Sequence, residues 1–135
     1  MKTIKLISMS LVLGLFLGQS ARIYAQDPVK AAPNVYKKVL LDNDKVRVIE
    51  IEFAPGETAK WHHHPNHVVY VLTDGKLEIT DKGKSANVID LKAGTAVFLP
   101  AVTHMAKNIG TTTTKLVVTE LKPASHKKAP PAPKK

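Results

Sequence analysis

From residue 35 onward, hydrophobic residues occur in short runs that turn-forming residues separate. In the clearest run, KLEIT, apolar and polar residues alternate, which is the period of a strand with one buried face. Pro, Gly, Asn and Asp between the runs are typical of tight turns. The pattern predicts about nine short strands and no amphipathic helix, with strands at 35–41, 46–53, 59–64, 67–73, 76–80, 86–91, 95–99, 102–109 and 115–121.

Two local features refine this prediction. Within residues 46–53 the alternation changes phase at Val48-Ile49, which indicates a bulge or a strand that is buried on both faces. Asp74-Gly75, between two strand runs, predicts a hairpin turn. Short strands at regular spacing with Gly and Pro turns are typical of an all-β sandwich or barrel.

The two ends of the chain differ from this middle. Residues 1–25 have a basic start, an apolar stretch and a small-residue exit, which predicts a secretory signal peptide cleaved after Ala25. An uncleaved anchor is the less favoured alternative, because the apolar stretch of about thirteen residues is shorter than the roughly 20 of a membrane span. Residues 26–121 are predicted to form one domain, and the Lys/Pro-rich residues 122–135 a disordered tail.

Charge and composition limit the compartment and the partners. The chain has a formal net charge of +9. It contains no cysteine, so the sequence offers neither a disulfide framework nor a cysteine for lipid attachment. The basic tail is interpreted as a solubilising segment, with a tether to an anionic surface as the alternative. We expect a periplasmic or secreted protein with no nucleic-acid partner and no stable membrane insertion.

Four of the six histidines lie in the segment WHHHPNH, residues 61–67. Alternate residues of a strand share a face, so His62 and His64 point together and His63 points the other way. Two such residues are about 6–7 Å apart at Cα, which lets both imidazoles reach one metal ion. His104, on a distant predicted strand, would add a third nitrogen. The alternative is a polar cleft lined by histidines without a metal.

The spacing around these histidines resembles the two motifs of the cupin family. In the first motif a glycine precedes His-x-His by five residues, as Gly56 precedes His62 and His64. The second motif is matched by Gly94, Pro100, His104 and Asn108. The resemblance covers roughly residues 46–121. It implies a jelly roll, or double-stranded β-helix barrel of the RmlC type, that holds a divalent metal.

The chain also departs from the family pattern. The glutamate of the first motif is missing, and either His67 or Val68 takes its place, since only one of them can face inward in a regular strand. His67 is preferred because a buried imidazole needs a partner, which a metal provides. In the second motif Val102 replaces a glycine and the interval from Pro100 to His104 is one residue short. The predicted metal ligands are His62, His64, His67 and His104.

An all-imidazole set favours Zn, Cu, Ni or Fe(II) over Mg or Ca, with Mn less favoured.

Three further residues are weaker candidates for the site. Trp61 and Tyr70 could stack on an aromatic substrate, although packing is the preferred interpretation. Asn108 could orient His104 by a hydrogen bond or could serve as a turn residue.

The resemblance implies an exported metal-binding cupin. As an enzyme it would catalyse a dioxygenase-like, isomerase or lyase reaction on a small oxygenated or aromatic molecule. The alternative is a non-catalytic metal- or small-ligand-binding protein. The sequence has no Ser/His/Asp nucleophile pattern, no glycine-rich phosphate loop and no paired carboxylates, so it does not support glycosidase or phosphotransfer chemistry. Exposed edge strands favour a homodimer.

Overall fold

The computed structural model describes residues 26–124 of the 135-residue chain. The predicted signal peptide and the part of the predicted tail from residue 125 onward lie outside these described residues. All nine predicted strands are present, with ends that differ from the prediction by no more than two residues. The elements are α1 (Pro28–Ala31), β1 (Tyr36–Asp42), β2 (Val46–Phe53), β3 (Thr58–His64), β4 (His67–Val71), β5 (Gly75–Asp81), β6 (Asn87–Leu91), β7 (Ala96–Leu99), β8 (Val102–Asn108) and β9 (Thr114–Leu121).

The strands form two antiparallel sheets. One has five strands in the order β1-β2-β9-β4-β7, and the other has four in the order β3-β8-β5-β6. Apart from the pairs β1–β2 and β5–β6, each strand lies in the other sheet from the strand before it. This alternation between two facing sheets is that of a jelly roll and confirms the predicted all-β class.

The hydrophobic core lies between the two sheets and is built from alternate residues. In β2, Ile49, Ile51 and Phe53 are at most 2% exposed, whereas the residues between them are half-buried. The same alternation in β9 buries Leu116 and Val118. Period-two patterning therefore selects the face of each strand that packs inward.

The predicted bulge at Val48-Ile49 is not in β2 but in its neighbour β1. β2 pairs with β9 without interruption. Its register with β1 shifts twice, between Tyr36 and Lys38 and between Val39 and Leu41. The extra residues lie in β1, so this strand does not follow a simple alternation. Tyr36 is buried at its start, and the rest of the strand is exposed.

The predicted hairpin turn at Asp74-Gly75 is wrong. The strands on either side, β4 and β5, belong to different sheets, so this segment crosses between them. The Asp74 carboxylate accepts a hydrogen bond from the backbone N–H of Ala93 at 2.8 Å. A Cβ at residue 75 would lie 2.1 Å from Thr114 Oγ1. A close approach of two strands, and not turn geometry, therefore requires the glycine.

Residues 26–35, which we call the N-terminal arm, run along the edge of the four-stranded sheet. The carbonyl of Gln26 accepts a hydrogen bond from the backbone N–H of His63 in β3 at 2.9 Å. Asp27 caps α1 by accepting from the N–H of Val29 at 2.9 Å. Val35, at the end of the arm, is fully buried. Within residues 26–124, no helix has the length and apolar character needed to cross a membrane.

We expect Gly75→Ala to lower the free energy of unfolding by about 1–3 kcal/mol, because the new methyl group overlaps the Thr114 side chain. In a Thr114→Ala background the same substitution should cost less, since Oγ1 and Cγ2 are then absent. Urea unfolding of the four proteins measures both costs. Equal costs in the two backgrounds would show that this contact does not select the glycine.

Candidate metal centre

Two neighbouring strands bring three histidines together. β3 pairs with β8 so that His62 lies opposite His104. His62 and His64 are each 1% exposed and His104 is 9% exposed. His63 is half-buried on the other face, where its Nδ1 lies 3.1 Å from Thr103 Oγ1. The predicted orientations of these histidines in β3 are therefore confirmed.

The three buried histidines offer ring nitrogens that all lie within 4.8 Å of one another. The Nε2 atoms of His62 and His104 are 3.1 Å apart. Two nitrogens bound to one tetrahedral ion at about 2.1 Å would be about 3.4 Å apart, so the observed distance is close to that of two ligands. The rings meet edge to face, with interplanar angles from 70° to 90°. This group can hold a metal ion.

Three of the buried histidines each have Nδ1 next to an oxygen atom that accepts hydrogen bonds. A neutral imidazole with its proton on Nδ1 keeps a lone pair on Nε2. The Nε2 atom of each ring is then available to a metal, and the Nδ1 hydrogen bond fixes the ring orientation. The pairs are His62 Nδ1 with Lys60 O at 2.5 Å, His64 Nδ1 with Glu120 Oε1 at 2.7 Å and His67 Nδ1 with Pro65 O at 2.8 Å.

The hydroxyl group of Tyr36 lies between two of these lone pairs. Its oxygen is 2.7 Å from His62 Nε2 and 2.8 Å from His64 Nε2. When both rings carry their proton on Nδ1, the single proton of the phenol can be donated to only one of them, and the other contact then joins two acceptors. A cation bound to both Nε2 atoms would satisfy both lone pairs. The donor set therefore fits a metal better than it fits hydrogen bonds alone.

A chain of charged groups connects His64 to the N-terminal arm. The carboxylate of Glu120 is 5% exposed, accepts from His64 Nδ1 and lies 3.7 Å from Arg47 Nη1. Arg47 also pairs with Asp27 at 2.5 Å. Burial raises the pKa of Glu120, and the Arg47 guanidinium opposes that rise. A carboxylate that is hydrogen-bonded to Nδ1 makes the imidazole a stronger metal ligand at Nε2.

Tyr36 and Glu120 are absent from the sequence-based prediction. A signal exists for Glu120, because it follows Leu116 and Val118 at period two in the run KLVVTEL, and this places it on the core face. No comparable signal exists for Tyr36. The irregular register of β1 breaks the alternation that would assign its face.

His67 faces the core, and Val68 takes the outer position beside Phe98. The His67 side chain is 1% exposed, and its ring lies next to that of His64 with centroids 4.6 Å apart. The group of nitrogens within 4.8 Å of one another contains His62, His64 and His104. A role for His67 as a metal ligand therefore stays a prediction.

His64, His67 and His104 line a cavity of about 430 Å³ between the sheets. Most of its wall is apolar, with side chains such as Leu77, Leu116 and Val118. The exposed residues Asp90 and Lys92 are at its rim. A small molecule in this cavity would contact hydrocarbon over most of its length. It would meet polar groups at the end formed by Tyr36, His64, His67 and His104.

The remaining candidates lie away from this cavity. Trp61 and Tyr70 are 41% and 45% exposed on the outside of the barrel, so they neither pack in the core nor line the cavity. Asn108 is fully buried and donates to the carbonyls of Phe53 and Thr112 at 3.0 and 2.8 Å. It ends β8, and its Oδ1 accepts from the N–H of Gly110 at 2.9 Å, so it supports the turn that follows the strand. With these partners, Asn108 makes no bond to His104, and that proposed bond is wrong.

Burial also keeps the histidines neutral. It is the largest cause of the lowered pKa of His62 and His67. It lowers the pKa of His64 to about 2 and that of His104 to about 3, and neighbouring imidazoles add to both effects. Neutral imidazole is the form that binds metals. At neutral pH these rings are already uncharged, so an ion can bind without first displacing the proton of an imidazolium.

The family model for the cupin domain matches residues 49–120, which is more than half of the chain. The chain belongs to the cupin family. The matched region contains the four buried histidines and Glu120. Tyr36, Arg47 and Asp27 precede it in the sequence.

Named relatives and solved structures agree with this cupin assignment. Beta-alanine degradation protein BauB of Pseudomonas aeruginosa is 37% identical over 92 residues, covering 67% of this chain and 96% of the relative. A cupin domain from Bordetella pertussis superposes with a TM-score of 0.61 at 31% identity, covering 64% of this chain and 91% of that one. An RmlC-like cupin with a double-stranded β-helix from Methanocaldococcus jannaschii has a TM-score of 0.53 at 20% identity, with 63% and 77% covered, and so shares the fold.

We expect the metal-free cupin to lose stability as the pH falls from about 6.5 to about 3. The buried histidines have lowered pKa values, so the unfolded chain binds protons in this range that the folded chain does not. Each such histidine lowers the free energy of unfolding by up to about 1.4 kcal/mol per pH unit. The raised pKa of Glu120 offsets part of this slope above its ordinary value of 4.5.

Urea unfolding in the presence of a chelator, at pH values between 6.5 and 4, measures this slope. His104→Gln should reduce it, because one of the titrating rings is then absent. Stability that is constant or that increases as the pH falls would contradict the expectation.

Proposed function

We propose that this cupin binds a divalent transition metal and acts on a small organic molecule in its cavity. His62, His64 and His104 would hold the ion, with His67 as the fourth candidate. The observation that carries the proposal is a group of three buried, neutral imidazoles, of which His64 and His104 line an apolar cavity. A set of three protein nitrogens leaves coordination positions for a substrate.

The donor set supports Zn, Fe(II), Ni or Cu as the ion, with Mn less suited. Imidazole nitrogens suit these metals, whereas Mg and Ca require several oxygen ligands. The buried carboxylate of Glu120 is bonded to Nδ1 of His64, on the opposite side of the ring from Nε2. It therefore supports a histidine and does not supply an oxygen to the ion.

The cavity wall supports a substrate with an oxygen-bearing end and an apolar or aromatic body. The oxygen would face the ion and the apolar part would contact the aliphatic wall. A metal at this place would act as a Lewis acid on a bound oxygen. We propose a dioxygenase-like, isomerase or lyase reaction, the classes that the family resemblance suggests.

The likeness to BauB, a protein named for β-alanine degradation, supports a step in the breakdown of a small molecule. We propose that the substrate is more apolar than β-alanine itself. β-Alanine has a charge at each end, and an unpaired charge is costly against an apolar wall. Binding of β-alanine should therefore be weaker than that of an apolar molecule of similar length with one oxygen-bearing end.

A non-catalytic binding protein is the second candidate, and one observation favours it. Among residues 26–124 the buried carboxylic acid is Glu120, which is already engaged by His64 and Arg47. It is not free to transfer a proton to a substrate. Turnover would then depend on the metal and on the histidines alone, whereas binding needs no acid or base.

We also propose that the protein is exported to the periplasm or beyond the cell and forms a homodimer. The basic start, the apolar stretch and the small-residue exit of residues 1–25 support export. The sheets end in the edge strands β1, β7, β3 and β6. The N-terminal arm bonds to β3, which leaves β1, β7 and β6 for a second copy to cover. N-terminal sequencing of the protein from the periplasm and light scattering over a range of concentrations test these two proposals.

His62→Ala and His104→Ala should each weaken metal binding by about 100-fold or more, because each removes one of three nitrogen ligands. His63→Ala is the matched control, since this neighbouring histidine faces away from the group and should leave affinity unchanged. Competition of Zn and Co(II) with a chromophoric chelator measures the affinities. His67→Ala in the same series assigns His67, because a loss of affinity marks a ligand and no loss marks a wall residue.

The metal proposal fails if the wild-type protein binds none of Zn, Fe(II), Ni or Cu. It also fails if His62→Ala and His63→Ala bind with equal affinity. Circular dichroism of each variant separates loss of a ligand from loss of fold.

Val97→Trp should block small-molecule binding without weakening metal binding, because Val97 lines the cavity and is 47% exposed. Phe98→Trp is the matched control on the other face of the same strand, with the native side chain 56% exposed. Changes in the visible spectrum of the Co(II) protein on adding small aromatic alcohols or keto acids measure binding. Equal binding by the two variants would contradict this location for the ligand.

A further inference from the structure

We propose that the phenol oxygen of Tyr36 is a further ligand of the metal and supplies the negative charge that the missing glutamate would provide. This inference rests on the proposed metal binding. It adds a residue that precedes the region matched by the family model, residues 49–120. The ligand set would then contain three imidazole nitrogens and one phenolate oxygen.

The position of the hydroxyl group is the first argument. Tyr36 Oη is 2.7 Å from His62 Nε2 and 2.8 Å from His64 Nε2, and His62 Nε2 is 3.1 Å from His104 Nε2. Ligand atoms that share an ion with bonds near 2.1 Å are about 3.4 Å apart in a tetrahedral site and about 3.0 Å apart when they lie at 90° in an octahedral one. All three measured distances are near the second of these values. The oxygen therefore already lies among the donor atoms, and small shifts would bring it to a common ion.

Electric charge is the second argument. A divalent cation held only by neutral imidazoles would carry its full charge into a buried site, which is costly. Within residues 26–124, Glu120 is the buried carboxylate, and it contacts the far side of His64. The phenol of Tyr36 lies at the Nε2 side of the rings. Burial raises the pKa of this phenol above its ordinary value, so it is neutral without a metal and becomes an anion only when its oxygen binds the ion. When its oxygen binds the ion, its proton leaves to solvent.

The rigid placement of Tyr36 is the third argument. The residue is 5% exposed, and its ring packs edge-on against His62 with centroids 5.1 Å apart. Its backbone N–H donates to the carbonyl of Ala32 at 3.0 Å, and the neighbouring Val35 is fully buried. Because folding already orders this side chain, little further entropy is lost when its oxygen binds a metal.

The alternative is that the hydroxyl group occupies the position of the metal and must move before an ion can bind. The two arrangements predict opposite effects of Tyr36→Phe. Loss of a ligand weakens metal binding, whereas removal of an obstacle strengthens it. Phenylalanine keeps the ring and its packing, so this variant removes the oxygen alone.

The test uses the full-length protein and Cu(II) and Zn as probes. Wild-type protein loaded with Cu(II) should show a visible phenolate-to-copper charge-transfer band. Tyr36→Phe should lose this band and bind Zn about 10–100-fold more weakly, while the three histidines still retain some affinity. Of the two other tyrosines, Tyr24 lies in the predicted signal peptide. Tyr70→Phe, on the outer face of β4, is therefore the control that should keep the band and the affinity.

The inference is overturned if wild-type protein binds Cu(II) without this band, or if Tyr36→Phe binds Zn as tightly as wild type or more tightly. The wild-type spectrum decides the question even if Tyr36→Phe does not fold. A wild-type protein that binds no metal refutes the proposed function instead. Metal binding that His62→Ala abolishes and Tyr36→Phe leaves unchanged refutes this inference alone.

Discussion

The register of β3 against β8 is the constraint on which the site depends. The pairing is irregular between Ala59 and His62, where β3 has one residue more than β8. This bulge changes the phase of the strand, so that Ala59 before it and His62 after it are both buried. Without the extra residue, the face of Ala59 would continue through Trp61 and His63. The large indole would then point into the core, and His62 would point to solvent.

Burial determines the chemistry of the histidines as well as their position. Removal from water disfavours the charged imidazolium, and the hydrogen bonds at Nδ1 leave lone pairs at Nε2. Several lone pairs then meet in a space that has too few protons to satisfy them. A cation would resolve this conflict, and its charge would in turn favour an anion nearby. Glu120 behind His64 and the phenol of Tyr36 are the buried groups that can respond.

Much of this arrangement could be predicted from local patterns. The alternation in KLEIT and KLVVTEL assigns strands and faces, and the spacing from Gly56 and Gly94 predicts which histidines converge. Other features depend on contacts between distant segments. Gly75 is a glycine because of Thr114, which only the pairing of the sheets brings near. Tyr36 could not be assigned to a face because the irregular register of β1 has no trace in its sequence.

The position of Tyr36 outside residues 49–120 has a consequence for how such proteins diverge. Two relatives can have the same barrel and the same three histidines, and yet differ in the oxygen that lies among them. The net charge of a metal centre there would then change through substitutions that precede the region matched by the family model. The predicted cleavage site after Ala25 also lies close to Asp27 and the arm that leads to Tyr36. If the protein is exported as proposed, sequence changes near the cleavage site would therefore act on the segment that leads to Tyr36.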